Sequence, residues 1–180
     1  KTHLKNVVVL QTVLSEVKNQ SPQLYADLRD LCADPEKQFY VFSNEFREET
    51  HIGRSKGESP NDRNDRAIRV AAKWYQQHLS GTKCRVILIT NDRANCEKAK
   101  ADGIEAMTIH RYVRERGDPD LLDTLSMKGE EDEDYELKSQ EKGKKPIYEE
   151  HWSERRSKRF ASPVLALFSK ESCASPQIIG

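Results

Sequence analysis

The chain has 180 residues, 36% of them hydrophobic, which is enough for one domain of ordinary size and a tail. Thirty basic and thirty acidic residues cancel, which excludes a globally basic surface, so nucleic-acid binding would need a local patch. No apolar run approaches the ~20 residues of a membrane span, and we expect no membrane partner. The four cysteines lack zinc-type spacing and a dense disulfide framework, so we expect reduced thiols.

Short apolar runs alternate with helical patterns in the first part of the chain. Val7 to Leu10 (VVVL) predicts a buried strand, and the helical pattern that follows directly carries Glu16. Pro22 opens a second helical segment, and Phe39 to Phe42 (FYVF) predicts another strand. The polar segment from Ser43 to Asn61 predicts a long loop, which in a compact domain is commonly functional or mobile.

The segment from Asn61 to Arg93 predicts an amphipathic helix, a turn and a buried strand. The apolar stripe of the helix recurs at helical spacing and consists of Ile68, Ala71, Ala72, Tyr75 and Leu79. Arg85 to Thr90 (RVILIT) is a continuous apolar run, typical of a strand that is covered on both faces. Asp92 follows that strand, at the sheet edge where open parallel sheets bind ligands.

The remaining elements of the predicted domain are shorter. They are a helix from Ala94 to about Asp102, a weaker strand from Ile104 to Ile109, and helices from His110 to Arg116 and from Pro119 to Leu125. Strands that alternate with helices indicate an α/β fold with three layers, a mainly parallel sheet and helices on both faces. We assign this domain to residues 1–127.

Residues 128–180 are predicted to be a charged linker or tail that is disordered. Glu130 to Glu136 (EEDEDYE) is almost entirely acidic, and such blocks are normally solvated. A basic cluster follows and could contact phosphate, although a plain charged linker is the alternative; it consists of Arg155, Arg156, Lys158 and Arg159. The run from Val164 to Phe168 (VLALF) has no visible partner.

Three carboxylates, Glu16, Asp65 and Asp92, are predicted to lie near one edge of the sheet. Carboxylates that converge repel one another unless a cation is bound, and their hard oxygens suit Mn²⁺ or Mg²⁺. They are therefore our candidate metal ligands and catalytic residues. Asp65 could instead favour the helix dipole, Asp92 could start a turn, and neighbouring Asp62 resembles a helix N-cap.

Four arginines flank the predicted acids and could hold the phosphates of a substrate. They are Arg63, Arg66, Arg69 and Arg93. Solvated surface charge is the alternative for at least half of them.

The blocks NDRNDRAIRVAAKWY, ITND and VVVLQTVLSEVKN closely resemble the PIN domain of the RNase II-like ribonucleases associated with the exosome. The resemblance covers roughly residues 5 to 127. It implies a metal-dependent endoribonuclease acting on single-stranded RNA in RNA processing and decay, with Glu16, Asp65 and Asp92 as its acids. It also implies contact with the exosome core, separate exonuclease domains downstream, and a nuclear location in the nucleolus or nucleoplasm, with the cytoplasm as a further location.

One departure from the family concerns a first acid, in an Asp-Thr-Asn type motif at the end of a central strand. That strand would precede Lys1, so we expect the chain to be a fragment that lacks one metal ligand and one core strand. The alternative function is therefore a non-catalytic docking module that tethers the ribonuclease to the exosome core.

Overall fold

A computed structural model of the chain describes residues 4–117, 119–126 and 165–169. Its strands are β1 (Val7–Leu10), β2 (Phe39–Phe42), β3 (Arg85–Ile89), β4 (Ala106–Met107) and β5 (Leu165–Ser169), and they form one sheet in the order β2-β1-β5-β3-β4. The helices are α1 (Gln11–Gln20), α2 (Pro22–Ala33), α3 (Pro60–His78), α4 (Arg93–Ala101), α5 (Ile109–Arg116) and α6 (Pro119–Ser126), with a 3-10 helix at Pro35–Lys37. Among these helices, none is both long and apolar enough to cross a bilayer.

The sheet is covered on both faces, because β1 and β3 turn successive side chains toward two different cores. One core contains Val8, Leu10, Val86 and Leu88 together with Ile68, Ala71, Ala72, Cys96 and Ala99 of α3 and α4. The other contains Val7, Val9, Ile87 and Ile89 together with Tyr112 and Val113 of α5, and α2 and α6 pack against it. The predicted three-layer α/β fold is confirmed.

Helix α3 buries the stripe that its sequence predicts, but it begins earlier than the pattern indicates. Its N-cap is Ser59, whose hydroxyl accepts a hydrogen bond from the Asp62 backbone N–H at 3.1 Å. The prediction that Asp62 is the N-cap is wrong, because Pro60 has a backbone φ suited to the first helical position and no N–H to satisfy. Asp62 instead accepts a hydrogen bond from the Ser59 hydroxyl at 2.6 Å, which secures the first turn.

The weaker strand predicted from Ile104 to Ile109 is shortened in the structure to β4. The Thr108 hydroxyl accepts a hydrogen bond from the Arg111 backbone N–H, so Thr108 caps α5 and the helix starts at Ile109. A capping residue thus ends the strand earlier than its apolar pattern predicts.

Strand β5 occupies the centre of the sheet, between β1 and β3. It runs antiparallel to both, and Leu167 pairs with Val7 on one side and with Ile87 on the other, whereas β1–β2 and β3–β4 are parallel pairs. The expectation of an apolar run without a partner is therefore wrong at residues 165–169. The physical reason is that the edges of β1 and β3 that face each other carry unpaired backbone donors and acceptors. Residues 165–169 form hydrogen bonds with both edges. The rest of the predicted tail, residues 128–164 and 170–180, lies outside the described residues.

In the described part of the chain, the side chains of Cys32 and Cys96 form no disulfide bond. Cys84, immediately before β3, is disulfide-bonded, so the expectation of reduced thiols is wrong at this residue.

Candidate active site

The three predicted carboxylates come from three elements that meet beyond the ends of β1 and β3. Glu16 lies on α1, which follows β1 directly, and Asp65 lies near the start of α3. Asp92 follows β3 and is the N-cap of α4. All three side chains are partly buried.

Asp65 experiences the charges of both other carboxylates. Burial is the largest cause that raises its pKa to about 6, and the negative charges of Asp92 and Glu16 raise it further, while Arg69 and Lys98 oppose the shift. The structure therefore brings the three acids close enough for their charges to interact. Asp65 is the acid whose pKa responds to the charges of both other carboxylates.

Glu16 is held by an amide from the same segment that carries Asp65. The Asn64 side chain donates a hydrogen bond from its Nδ2 to Glu16 Oε1 at 2.7 Å, which links α3 to α1. Burial raises the pKa of Glu16, and this hydrogen bond to its carboxylate lowers it in part.

Asp92 combines two of the roles considered for it. Its Oδ1 accepts a hydrogen bond from the Asn95 backbone N–H at 2.9 Å, so it starts α4 as a capping residue. Its own backbone N–H donates to the Thr90 hydroxyl at 3.1 Å, which fixes the turn after β3. Its position at the acidic edge is thus set by local backbone structure.

The arginines are for the most part engaged with the chain itself. Arg63 forms a double ion pair with Glu45, at 2.6 and 2.5 Å, and also donates to the Ile52 carbonyl. Arg66 pairs with Glu58 at 2.7 Å, and the exposed Arg93 is the first residue of α4.

Arg69 is the fourth of the predicted phosphate-binding arginines. Its Nη1 donates to Asn95 Oδ1 at 2.7 Å and its Nε to Asp102 Oδ2 at 3.2 Å, so it clips α3 to α4. Arg63, Arg66 and Arg69 therefore each connect separate segments of the domain.

The predicted long loop is pinned to the start of α3 and α1. Arg63 and Arg66 hold it through Glu45, Glu58 and the carbonyls of residues 52 and 53. Fully buried Asn44 accepts a hydrogen bond from the Thr12 backbone N–H at 3.3 Å and donates to the Thr12 hydroxyl, which in turn donates to Glu45. A polar network with paired partners of this kind gives the loop a defined conformation.

Sequence reasoning missed two amides that contact the acids, Asn64 and Asn95. Asn64 lies within the NDRND block beside Asp65, and Asn95 lies three residues after Asp92. An amide next to a candidate acid at the start of a helix is the signal that could have drawn attention to them.

The donor set suits a hard divalent cation. Within the described residues, no group of three or more His, Cys, Asp or Glu side chains is gathered tightly enough to hold a metal. The like charges that raise the pKa of Asp65 nevertheless show that carboxylates accumulate at this edge, and carboxylate oxygens are the ligands that Mg²⁺ and Mn²⁺ prefer. A bound cation would offset that repulsion.

A three-layer α/β/α fold with acidic residues beyond the ends of β1 and β3 agrees with the architecture expected of a PIN domain. Residues 2–110 match the family model described as "PIN domain", and the chain belongs to this family.

Named relatives come from several organisms. The chain is 50% identical over 133 residues to the mouse exosome complex exonuclease RRP44, covering 71% of this chain and 14% of that protein. It is 48% identical over 151 residues to the Arabidopsis thaliana exosome complex exonuclease RRP44 homolog A, covering 82% of this chain and 16% of that protein. The chain thus spans about a seventh of the length of these relatives.

A solved structure supports the fold. The PIN domain of T. brucei RRP44 matches with a TM-score of 0.58 and 31% sequence identity, covering 71% of this chain and 76% of that one. The resemblance expected from the sequence blocks is therefore confirmed.

Proposed function

We propose that the chain is the metal-dependent endoribonuclease domain of an exosome-associated ribonuclease, and that it acts in RNA processing and decay. The observation that carries this proposal is the hydrogen bonding that joins the three acids at one sheet edge: Asn95 donates to both Asp65 and Asp92, and Asn64, next to Asp65, donates to Glu16. The relatives are named as exosome complex exonucleases, which supports the exosome as the expected partner, with its core as the docking site. Single-stranded RNA is the expected substrate, as the resemblance of the sequence blocks implies. The expected location is the nucleus, in the nucleolus or nucleoplasm, with the cytoplasm as a further location.

Glu16, Asp65 and Asp92 are the residues that would hold the Mn²⁺ or Mg²⁺ ion, and binding would have to draw them closer together than they lie in the described residues. When bound, such an ion supplies hydroxide near neutral pH and stabilises the charge that develops on phosphorus. The chain's own residues prepare the edge for it: Asn64 orients Glu16, and the capping bond of α4 orients Asp92. Because the pKa of Asp65 is about 6, this carboxylate is ionised above that pH and can serve as a ligand.

The phosphate backbone of RNA would meet positive charge at this edge. Arg93 is exposed at the first turn of α4, next to Asp92, and is a candidate for a phosphate contact. Arg63, Arg66 and Arg69 are the other candidates, and their hydrogen bonds also hold the loop and α4.

Circular single-stranded RNA tests the proposal, because a circle has no ends for an exonuclease. The 180-residue chain is incubated with the circle in Mn²⁺, in Mg²⁺ and in EDTA. We expect metal-dependent nicking that Asp65→Asn lowers on the order of 100-fold or more, because a ligand becomes neutral. Asp62→Asn, three residues earlier on the same helix, is the matched control and should nick like wild type. Equal nicking by wild type and Asp65→Asn would refute the assignment.

The second candidate function is a non-catalytic docking module, and Phe46 favours it. This side chain is 82% exposed, although both of its neighbours are anchored. Glu45 is paired with Arg63, and the Arg47 guanidinium lies 4.9 Å from the centre of the Trp74 ring. An exposed aromatic side chain on a fixed support is a common anchor in protein interfaces.

The docking candidate is tested with Phe46→Ala. We expect this variant to bind purified exosome core more weakly while it nicks circular RNA at the wild-type rate. Unchanged binding to the core would count against docking through this loop.

A further inference from the structure

Asn95 connects two of the predicted carboxylates from a position inside the protein. Its side chain is 1% exposed and lies in the first turn of α4. The backbone N–H donates to Asp92 Oδ1 at 2.9 Å, and the side-chain Nδ2 donates to Asp65 Oδ1 at 3.2 Å. One residue thus contacts both an acid of α3 and an acid that follows β3.

The orientation of the Asn95 amide is fixed by its third contact. Arg69 Nη1 donates to Asn95 Oδ1 at 2.7 Å, and an arginine side chain can only donate. The amide carbonyl must therefore face Arg69, which turns the amide NH₂ group toward Asp65. A flipped amide would set its NH₂ group against the guanidinium and its oxygen against the carboxylate, and both contacts would be repulsive.

We propose that Asn95 is a positioning residue for the acidic site, with its orientation set by Arg69. This inference rests on the proposed function. Asp65 and Asp92 repel one another, and without a restraint Asp65 could rotate away toward solvent. The buried Asn95 amide is held by Arg69 and by the bond of its own backbone N–H to Asp92. It keeps Asp65 Oδ1 facing the site before a cation binds. Removal of a residue that hydrogen-bonds to a metal ligand commonly lowers metal affinity or activity by about 10- to 100-fold.

Arg69 lies on α3 and acts on the acidic site through Asn95 of α4. A second contact holds the Arg69 side chain in position. Its side chain is 12% exposed, and its Nε pairs with Asp102 immediately after α4. The guanidinium therefore binds one side chain from the first turn of α4 and one that directly follows the helix. Arg69 therefore orients the Asn95 amide. This role explains why its side chain points into the protein and not toward solvent.

The test compares Asn95→Ala and Arg69→Met with wild type in the 180-residue chain. Mn²⁺ binding is measured by isothermal titration calorimetry, nicking of circular RNA is measured over a range of Mn²⁺ concentrations, and unfolding is followed in EDTA. We expect Asn95→Ala to weaken Mn²⁺ binding about 10-fold or more, and to raise the Mn²⁺ concentration for half-maximal nicking by the same factor. Arg69→Met should act in the same direction by a smaller factor, because the amide stays present but can flip.

Two further variants separate positioning from stability. Ala99→Gly, a fully buried site one turn further along α4, should destabilise the domain comparably and leave the Mn²⁺ concentration for half-maximal nicking unchanged. The double variant Arg69→Met, Asn95→Ala should bind Mn²⁺ no more weakly than Asn95→Ala alone, because both changes act through one amide.

Each outcome has a defined meaning. If wild type binds Mn²⁺ and Asn95→Ala binds it equally well, the positioning role is refuted and the proposed function stands. If Ala99→Gly weakens Mn²⁺ binding as much as Asn95→Ala, the effect is one of stability and the positioning role is refuted. If wild type neither binds Mn²⁺ nor nicks RNA, the proposed function and the inference both fail.

Discussion

The substitution Asp65→Asn should make the metal-free domain more stable at neutral pH. In the folded chain the pKa of Asp65 is about 6, and its ordinary value is 3.8. Ionised Asp65 therefore costs folding free energy, and each pKa unit corresponds to about 1.4 kcal/mol. The full shift would give about 3 kcal/mol. Because the side chain is only partly buried, solvent screening reduces this, and we expect a gain of about 1 kcal/mol.

The pH dependence of this gain follows from the raised pKa. Between about pH 4 and pH 6 the folded state holds a proton on Asp65 that the unfolded state has released, so wild-type stability falls as pH rises through this range. The asparagine variant has no such loss. Its advantage should be complete above pH ~7, about half as large at pH 5, and absent below pH ~4.

The assay is urea unfolding of both chains in EDTA at pH 7.5 and at pH 5, together with thermal unfolding. A gain of about 1 kcal/mol raises the Tm by roughly 3 to 6 °C for a domain of this size. Asp62→Asn is the matched control and should lose up to about 1 kcal/mol, because Asp62 accepts a hydrogen bond from the Ser59 hydroxyl and favours the helix dipole. A variant Asp65→Asn that is less stable than wild type at pH 7.5 would refute the electrostatic reasoning.

Adding Mn²⁺ should reverse the order of stability, if the proposed function is right. A ligand that binds only the folded state stabilises it by about 2.7 kcal/mol at 100 times its Kd, which exceeds the gain from the substitution. Wild type would then unfold at the higher temperature.

Three other perturbations test the packing around the site. Ser59→Ala should cost about 1 kcal/mol and Ser59→Gly only a few tenths, as measured by urea unfolding, because glycine tolerates the N-cap position. Arg63→Met should release the loop of residues 43–59 to trypsin, since Glu45 loses its ion pair, and Glu45→Gln in the same chain should restore part of the stability. Leu167→Pro should cost about 3 kcal/mol or more in urea unfolding, because proline removes a backbone donor from the central strand.

Each of these predictions has a result that would contradict it. Equal stability of the two Ser59 variants would show that the cap contributes little. Trypsin resistance of Arg63→Met equal to that of Arg29→Met, which breaks an exposed ion pair, would show that other contacts hold the loop. A Leu167→Pro chain as stable as wild type would show that β5 is dispensable for the sheet.

The two-faced strands and the apolar helix stripe could be predicted from the sequence because both are local patterns. VVVL and the four residues VILI inside RVILIT are entirely apolar, which requires cover on both faces of the sheet. Ile68, Ala71 and Ala72 recur at helical spacing, and all three are fully buried. Local periodicity is sufficient for such elements.

The central strand could not be predicted, because pairing between strands depends on distant partners. The VLALF run is separated from β3 by most of the charged second half of the chain, and nothing within the run indicates which edge it will join. Its partners are set by the open edges of β1 and β3, which exist only once those strands are in place.

The roles of the arginines were also beyond the sequence. Arg63 and Arg66 are adjacent to the predicted acids in sequence, yet their carboxylate partners, Glu45 and Glu58, come from the preceding loop. Whether an arginine faces solvent or an internal carboxylate depends on how that loop folds back, and a count of charges carries no information on this.

The arrangement of acids that lowers the stability of the metal-free domain is the same arrangement that we propose binds a divalent cation. Asp65 lies partly buried beside two other acids, and its raised pKa measures how unfavourable that arrangement is without a counter-charge. In the proposed function, the same arrangement would raise affinity for a divalent cation, because binding would remove the repulsion and the chain has already restrained the oxygens. Asn64 and Asn95 supply that restraint without adding charge, whereas a lysine in either place would neutralise the acids and lower their affinity for the cation. Neutral amides are therefore the side chains that this site requires next to its carboxylates.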